Sequence, residues 1–140
     1  MSTATNSTST HLVAWQCYLF VALGGALGGA GRYNLSLVFA GAATGLPWAT
    51  LLANMIGSFI IGFYSALPRG SRYTGERAQI FISVGFCGGF TTFSIFSLEV
   101  LTLLQQQQWL QASVWLTLSV TLWLLAVTLG YLLGKRVSAT

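Results

Sequence analysis

Residues 85 to 99 read "GFCGGFTTFSIFSLE", an apolar stretch that carries two adjacent glycines, two threonines, two serines and a glutamate. Gly88 and Gly89 have little helical preference, and the Thr91 and Thr92 hydroxyls can rebond a freed backbone, so "GGFTT" is expected to interrupt a helix. A helix interrupted at membrane depth exposes carbonyl oxygens, which are tolerated only when buried in protein, facing water or coordinating a cation. A glycine-allowed helix crossing is the other reading of the same residues. Past the interruption, at about 100° per residue, Phe93, Phe96 and Ser97 fall on one face with Ser94 at its margin. Aromatic rings are positive at their edges and hydroxyls are donors, so this stripe suits an anion that needs hydrogens around it and no fixed countercharge. A dry phenylalanine core would explain the rings and leave the serines bonding back to their own helix.

Three further residues belong with this stretch. Asn54, in "LLANMIGSF", brings two N–H donors into an apolar segment, either for a bond between helices or for an anion. Arg32 would be costly at a helix centre and either snorkels to the interface or draws anions into a vestibule. Glu99 lines such a vestibule or reaches the headgroups.

The elements that position these residues follow from hydropathy. The chain has 140 residues, 54% hydrophobic and 6% charged, with a mean hydropathy of +0.72. Soluble domains carry roughly 25% charged residues, so this composition places the chain in a lipid bilayer. Four segments approach the ~20 residues needed to span one: residues 12–39, 46–67, 78–104 and 109–133. The expectation is an all-α membrane protein, a polar disordered tail over residues 1–11 and a single four-helix domain over 12–140. Arg69, Arg72, Arg77, Lys135 and Arg136 would lie on the side of the N-terminus and Arg32 on the other, which makes both termini cytoplasmic. Four short spans rarely enclose a pathway alone, and small residues in "GGALGGAG" permit close helix approach, so an oligomer is expected.

Other classes lack their parts. Six basic residues form no nucleic-acid stripe. There is no nucleophile triad, no metal-ligand cluster and no phosphate-cradling loop followed by Lys, so no enzyme is expected. Cys17 and Cys87 sit in apolar runs as packing thiols, and His11 has no partner in the tail. A small proton-coupled multidrug exporter shares the four short spans, but it needs a carboxylate in its first helix, and the first span here has none.

The third-span motif, with "LLANMIGSFIIG" (51–62) and "GGALGGAGRY" (24–33), resembles the Fluc or CrcB fluoride-channel family over about two thirds of the chain. The resemblance implies a four-helix subunit whose third helix is broken near the bilayer midplane. Two subunits pair antiparallel, as a dual-topology homodimer or with an oppositely oriented homologue. It implies passive export of fluoride across a cell membrane, the bacterial inner membrane, and a structural sodium ion at the dimer centre with the Gly88 and Thr91 carbonyls as ligands. Phe93 and Phe96 would supply ring edges, Asn54 an amide donor and Ser94 and Ser97 a hydroxyl track, while Arg32 and Glu99 match the family's first-helix arginine and the acidic residue after the track. Ile95 stands where the family usually has Ser or Thr, and Trp115 where a Tyr is common, leaving an indole N–H in the pathway in place of a phenol.

Overall fold

A computed structural model describes residues 6–40, 46–68 and 75–138. The basic residues Arg69 and Arg72 and the first five residues lie outside these. The described chain is all-helical. Helix α1 spans Asn6–Phe39 and α2 spans Trp48–Ala66. The third rod is α3 (Glu76–Gln79), a wider-wound π-helical stretch over Ile80–Phe86, and α4 (Cys87–Phe90). It is followed by α5 (Phe93–Gln105) and α6 (Trp109–Ser138). Because α1 begins at Asn6, residues 6–11 of the expected polar tail are helical.

Among the described residues, three segments are long and apolar enough to cross a membrane: Trp48–Ala66, Arg77–Gln105 and Trp109–Ser138. The first expected span, residues 12–39, falls within α1, which is set apart by how closely it packs. A Cβ at Gly28 would run into the Phe86 carbonyl, so glycine there lets α1 lie directly against the third rod. The α2–α6 seam works the same way, with Gly130 against the Phe59 carbonyl.

Local sequence sets the helix ends. Pro47 precedes the first turn of α2, and Leu67 is forced to extended geometry (φ −75°, ψ 143°) by Pro68, which ends the helix. Between α5 and α6 the Gln107 and Gln108 amides bond back to the Leu104 and Leu103 carbonyls, at 3.0 and 2.9 Å, with Gln107 at φ 59°. This pair of bonds is a Schellman closure with the left-handed position filled by glutamine. Leu51, Phe96, Leu103, Ala112 and Trp115 form a buried core that joins α2, α5 and α6.

Candidate functional site

The third rod and α5 are separated by two extended residues, Thr91 (φ −82°, ψ 157°) and Thr92 (φ −152°, ψ 122°). The glycines expected to make this interruption are themselves helical, in α4. Gly89 instead makes room for α1, since a Cβ there would collide with the Gly25 carbonyl, whereas a Cβ at Gly88 would meet nothing. The extended geometry therefore falls on the two threonines.

Side chains take over the bonds that helix would otherwise make here. Asn54, 5% exposed in α2, donates from Nδ2 to the Thr92 carbonyl at 2.9 Å and accepts the Thr92 amide on Oδ1 at 2.7 Å. The amide donor of Thr92 must face an oxygen, which fixes the orientation of the Asn54 amide and leaves one of its two N–H bonds over. The Thr92 hydroxyl caps α5 by accepting the Ile95 amide at 3.2 Å. Both substitutions have a consequence for the backbone. In a continuous helix the Thr92 amide would bond the Gly88 carbonyl and the Ile95 amide the Thr91 carbonyl. Here those donors go to Asn54 and Thr92, so the carbonyls of Gly88 and Thr91 lose their helical partners. Thr91 itself holds the end of α4, its amide and hydroxyl both donating to the Cys87 carbonyl at 2.9 and 2.8 Å.

Arg32, half-buried, donates from Nε to the Gly89 carbonyl at 3.3 Å. Its charge thus sits at the C-terminal end of the third rod, where exposed carbonyls favour a cation. Neither a vestibule nor the headgroup region is needed to account for it.

A cavity of about 200 Å³ opens beside the interruption, lined by Asn54, Ser58, Thr91, Thr92, Phe93 and Trp123. The rings expected on one face are divided. Phe93 is 72% exposed and lines this cavity, while Phe96 is 2% exposed and packs into the core. Phe96 lies 5.8 Å from Phe93 and 4.7 Å from Trp123, nearly perpendicular to the latter at 72°. Ser94 and Ser97 are exposed, but each hydroxyl has a nearby partner: Ser94 Oγ lies 3.3 Å from Thr92 Oγ1, and Ser97 Oγ donates to the Phe93 carbonyl at 2.9 Å.

Farther along α5, Glu99 accepts a hydrogen bond from the Thr50 hydroxyl on Oε1. Its Oε2, the Trp115 indole Nε1 and the Ser119 hydroxyl are buried without a partner among the described residues. Trp115, 2% exposed, stands edge-on to Trp48 at 5.5 Å. It also lines a larger cavity of about 640 Å³ at the α5–α6 turn, together with Gln106, Gln108 and Gln111. Buried polar atoms without partners cost about 1–3 kcal/mol each. Of the three, the Trp115 side chain borders the larger cavity, so its indole is an unfilled donor beside open space.

Thr50, Ser119 and Trp123 carried no role in the sequence reading. Two spacings could have found them. Thr50 is one helical turn from Asn54, and Trp115, Ser119 and Trp123 recur every four residues along one face of α6.

The family described as "CrcB-like protein, Camphor Resistance (CrcB)" matches residues 19–131. A protein of Paramagnetospirillum magneticum named "Fluoride-specific ion channel FluC" is 49% identical over 117 residues, covering 81% of this chain and 91% of the relative. Proteins of the same name from Opitutus terrae and Methylocella silvestris are 47% and 43% identical, over 82% and 86% of this chain and 89% and 95% of their own lengths.

Proposed function

Since the chain belongs to the CrcB-like family, whose curated relatives carry the name of fluoride-specific ion channels, we propose that it is a multi-pass membrane channel for the passive export of fluoride. Transport, not catalysis, is the activity this reading assigns. The observation that carries it is the bidentate pairing of Asn54 with Thr92, which holds an interruption open, leaves an amide N–H to spare and borders a cavity walled by Phe93. Thr91 lies midway along the apolar segment Arg77–Gln105, so the interruption falls near the bilayer midplane.

The pathway runs along α5. A small anion that has shed water needs donors fixed in place before it arrives, and preorganised donors discriminate by the hydrogen-bond strength of the ion. The spare Asn54 N–H, the exposed edge of Phe93 and the hydroxyls of Ser94 and Ser97 supply them on one side. Trp115 Nε1 and Ser119 Oγ supply them beneath the glutamine-lined vestibule, with Glu99 at the margin and Arg32 contributing positive charge behind the third rod.

The residues also fit a sodium ion. Gly88 and Thr91 would hold it through the two carbonyls that lack helical partners, and oxygen-only ligation suits a hard cation. Two carbonyls are too few ligands for one chain. A second copy in antiparallel orientation, related by a two-fold axis, doubles them, and an isologous dimer places the same residues on both sides. The open face at Gly88 and the exposed Phe93 and Leu98 offer the surface for it.

Fluoride and chloride efflux from liposomes containing only the purified protein tests the function. Rapid fluoride loss with little chloride loss, independent of a pH gradient, is the expected result. Efflux of organic cations driven by a proton gradient would replace this reading with an exporter.

A further inference from the structure

Trp123 is a residue to which neither the sequence motifs nor the pathway above assigns a role. Three observations meet there. Its ring stands perpendicular to Phe96 at 4.7 Å, at the short end of the range in which aromatic pairs add stability beyond their buried area. Its Nε1 donates to the Leu51 carbonyl at 3.3 Å, across 72 residues of chain. Its side chain is a wall of the cavity that holds Asn54, Thr91, Thr92 and Phe93.

We propose that Trp123 is a positioning residue for anion selection: it fixes the plane of Phe96, and through Phe96 the ring of Phe93, while anchoring the turn of α2 that presents Asn54. This rests on the fluoride-channel reading. Leu51 lies three residues before Asn54, so the indole bond fastens the helical turn from which the Asn54 amide projects. On the other side, Phe96 is wedged between Trp123 and Phe93, touching both. The indole thus ties together the two donors the cavity offers an anion, the amide and the ring edge, and neither belongs to α6. Because its only N–H is bonded to a backbone carbonyl, Trp123 presents an apolar face to the cavity and is not itself an anion ligand.

A ring edge and an amide that are free to reorient lose their advantage for the ion that is costlier to dehydrate. Loss of the brace therefore lowers fluoride flux more than chloride flux. Loss of folded protein lowers both by the same factor. The ratio of the two rates separates positioning from mere packing.

The test is fluoride and chloride efflux from liposomes holding wild-type protein, Trp123→Leu or Trp123→Phe. Trp123→Leu should lower the fluoride-to-chloride rate ratio roughly tenfold, the scale of one aromatic pair. Trp123→Phe keeps a ring against Phe96 and should recover most of that ratio. A ratio unchanged in Trp123→Leu, with or without a fall in both rates, overturns the proposal while leaving the channel reading intact. Wild-type protein that moves no fluoride overturns the channel reading and the proposal with it. If Trp123→Leu does not yield monodisperse protein, Trp123→Met takes its place with the same readout: a lowered fluoride-to-chloride ratio supports the assignment, and an unchanged ratio overturns it.

Discussion

Helix α5 is bounded by two departures from helical geometry, and they are resolved in opposite ways. At its C-terminal end, Gln107 and Gln108 turn the chain into α6 with amides that bond back to Leu104 and Leu103. The turn closes on the backbone of α5 and the first turn of α6, where the Gln108 carbonyl accepts the Ala112 amide at 3.0 Å, and uses no side chain from another helix. At its N-terminal end, Thr91 and Thr92 are extended, and the bonds are handed to side chains: Asn54 from α2 takes both groups of Thr92, and the Thr92 hydroxyl takes the Ile95 amide. The same residues release the carbonyls of Gly88 and Thr91. A turn that only redirects the chain satisfies itself, whereas an interruption that serves ions borrows partners from elsewhere and leaves acceptors and donors available.

Asn54→Asp is the severest way to break this contrast. Aspartate still accepts the Thr92 amide but sets its second oxygen against the Thr92 carbonyl. It also brings a negative charge to the cavity wall. At an effective dielectric constant near 20, repulsion of an anion a few ångströms away amounts to about 2–4 kcal/mol, so fluoride efflux from liposomes should fall at least about 30-fold. An unchanged rate would return Asn54 to the class of ordinary interhelical hydrogen bonds.

Phe93→Ile comes next. Phe93 is 72% exposed and lines the cavity, so an apolar residue of similar bulk removes the ring edge while disturbing little of the core. Fluoride efflux should drop roughly tenfold, the loss of one directed contact, with the elution profile in detergent unchanged. Wild-type efflux would remove the ring from the pathway.

Much of this arrangement was legible in the residues because the glycines, threonines and serines are out of place in an apolar span. The order of α2, the third rod, α5 and α6 followed from hydropathy, and Asn54, Thr91 and Phe93 do gather at one cavity. What the sequence reading misassigned was the division of labour. Glycine was expected to break the helix through low propensity, yet Gly89 stays helical because its missing Cβ is needed against α1, and tertiary packing outweighs propensity. Phe93 and Phe96 were expected to share a face; three positions on a helix are only about 60° apart around the axis and the rings do lie 5.8 Å from each other, but the core boundary runs between them, so only Phe93 stays exposed. Trp123 was invisible because its importance depends on Phe96 and Leu51, residues 27 and 72 positions away in the chain, and no local pattern reports such contacts.

Thr92→Ala probes the interrupted end without altering charge. It removes the cap on α5, which is worth about 1 kcal/mol, and leaves the Ile95 amide to seek the Thr91 carbonyl. Thermal unfolding in detergent should show a loss of that size, and Thr92→Ser, which keeps the hydroxyl, should restore it. Because the competing bond would occupy a proposed sodium ligand, Thr92→Ala should also weaken stabilisation by sodium over potassium, measured as the difference in melting temperature between the two salts. Equal sodium dependence in Thr92→Ala and wild type would separate the cap from the cation.

Gln107→Gly sharpens the contrast from the other end. Gln107 holds a left-handed backbone at φ 59°, which costs a residue with a Cβ roughly 1–2 kcal/mol and costs glycine nothing. Glycine also gives the unfolded chain more freedom, which offsets about 0.4–1 kcal/mol of that gain. The net expectation is a stabilisation of about 0.5 kcal/mol, a rise of roughly 1–2 °C in melting temperature. Fluoride efflux should not change, because the turn is closed by backbone bonds among neighbouring residues. A Gln107→Gly channel that melts higher and conducts as before shows that this end of α5 is architecture alone. A change in its fluoride-to-chloride ratio would instead show that the backbone shape of the turn, and not only the glutamine side chains that line the vestibule, acts on the anion.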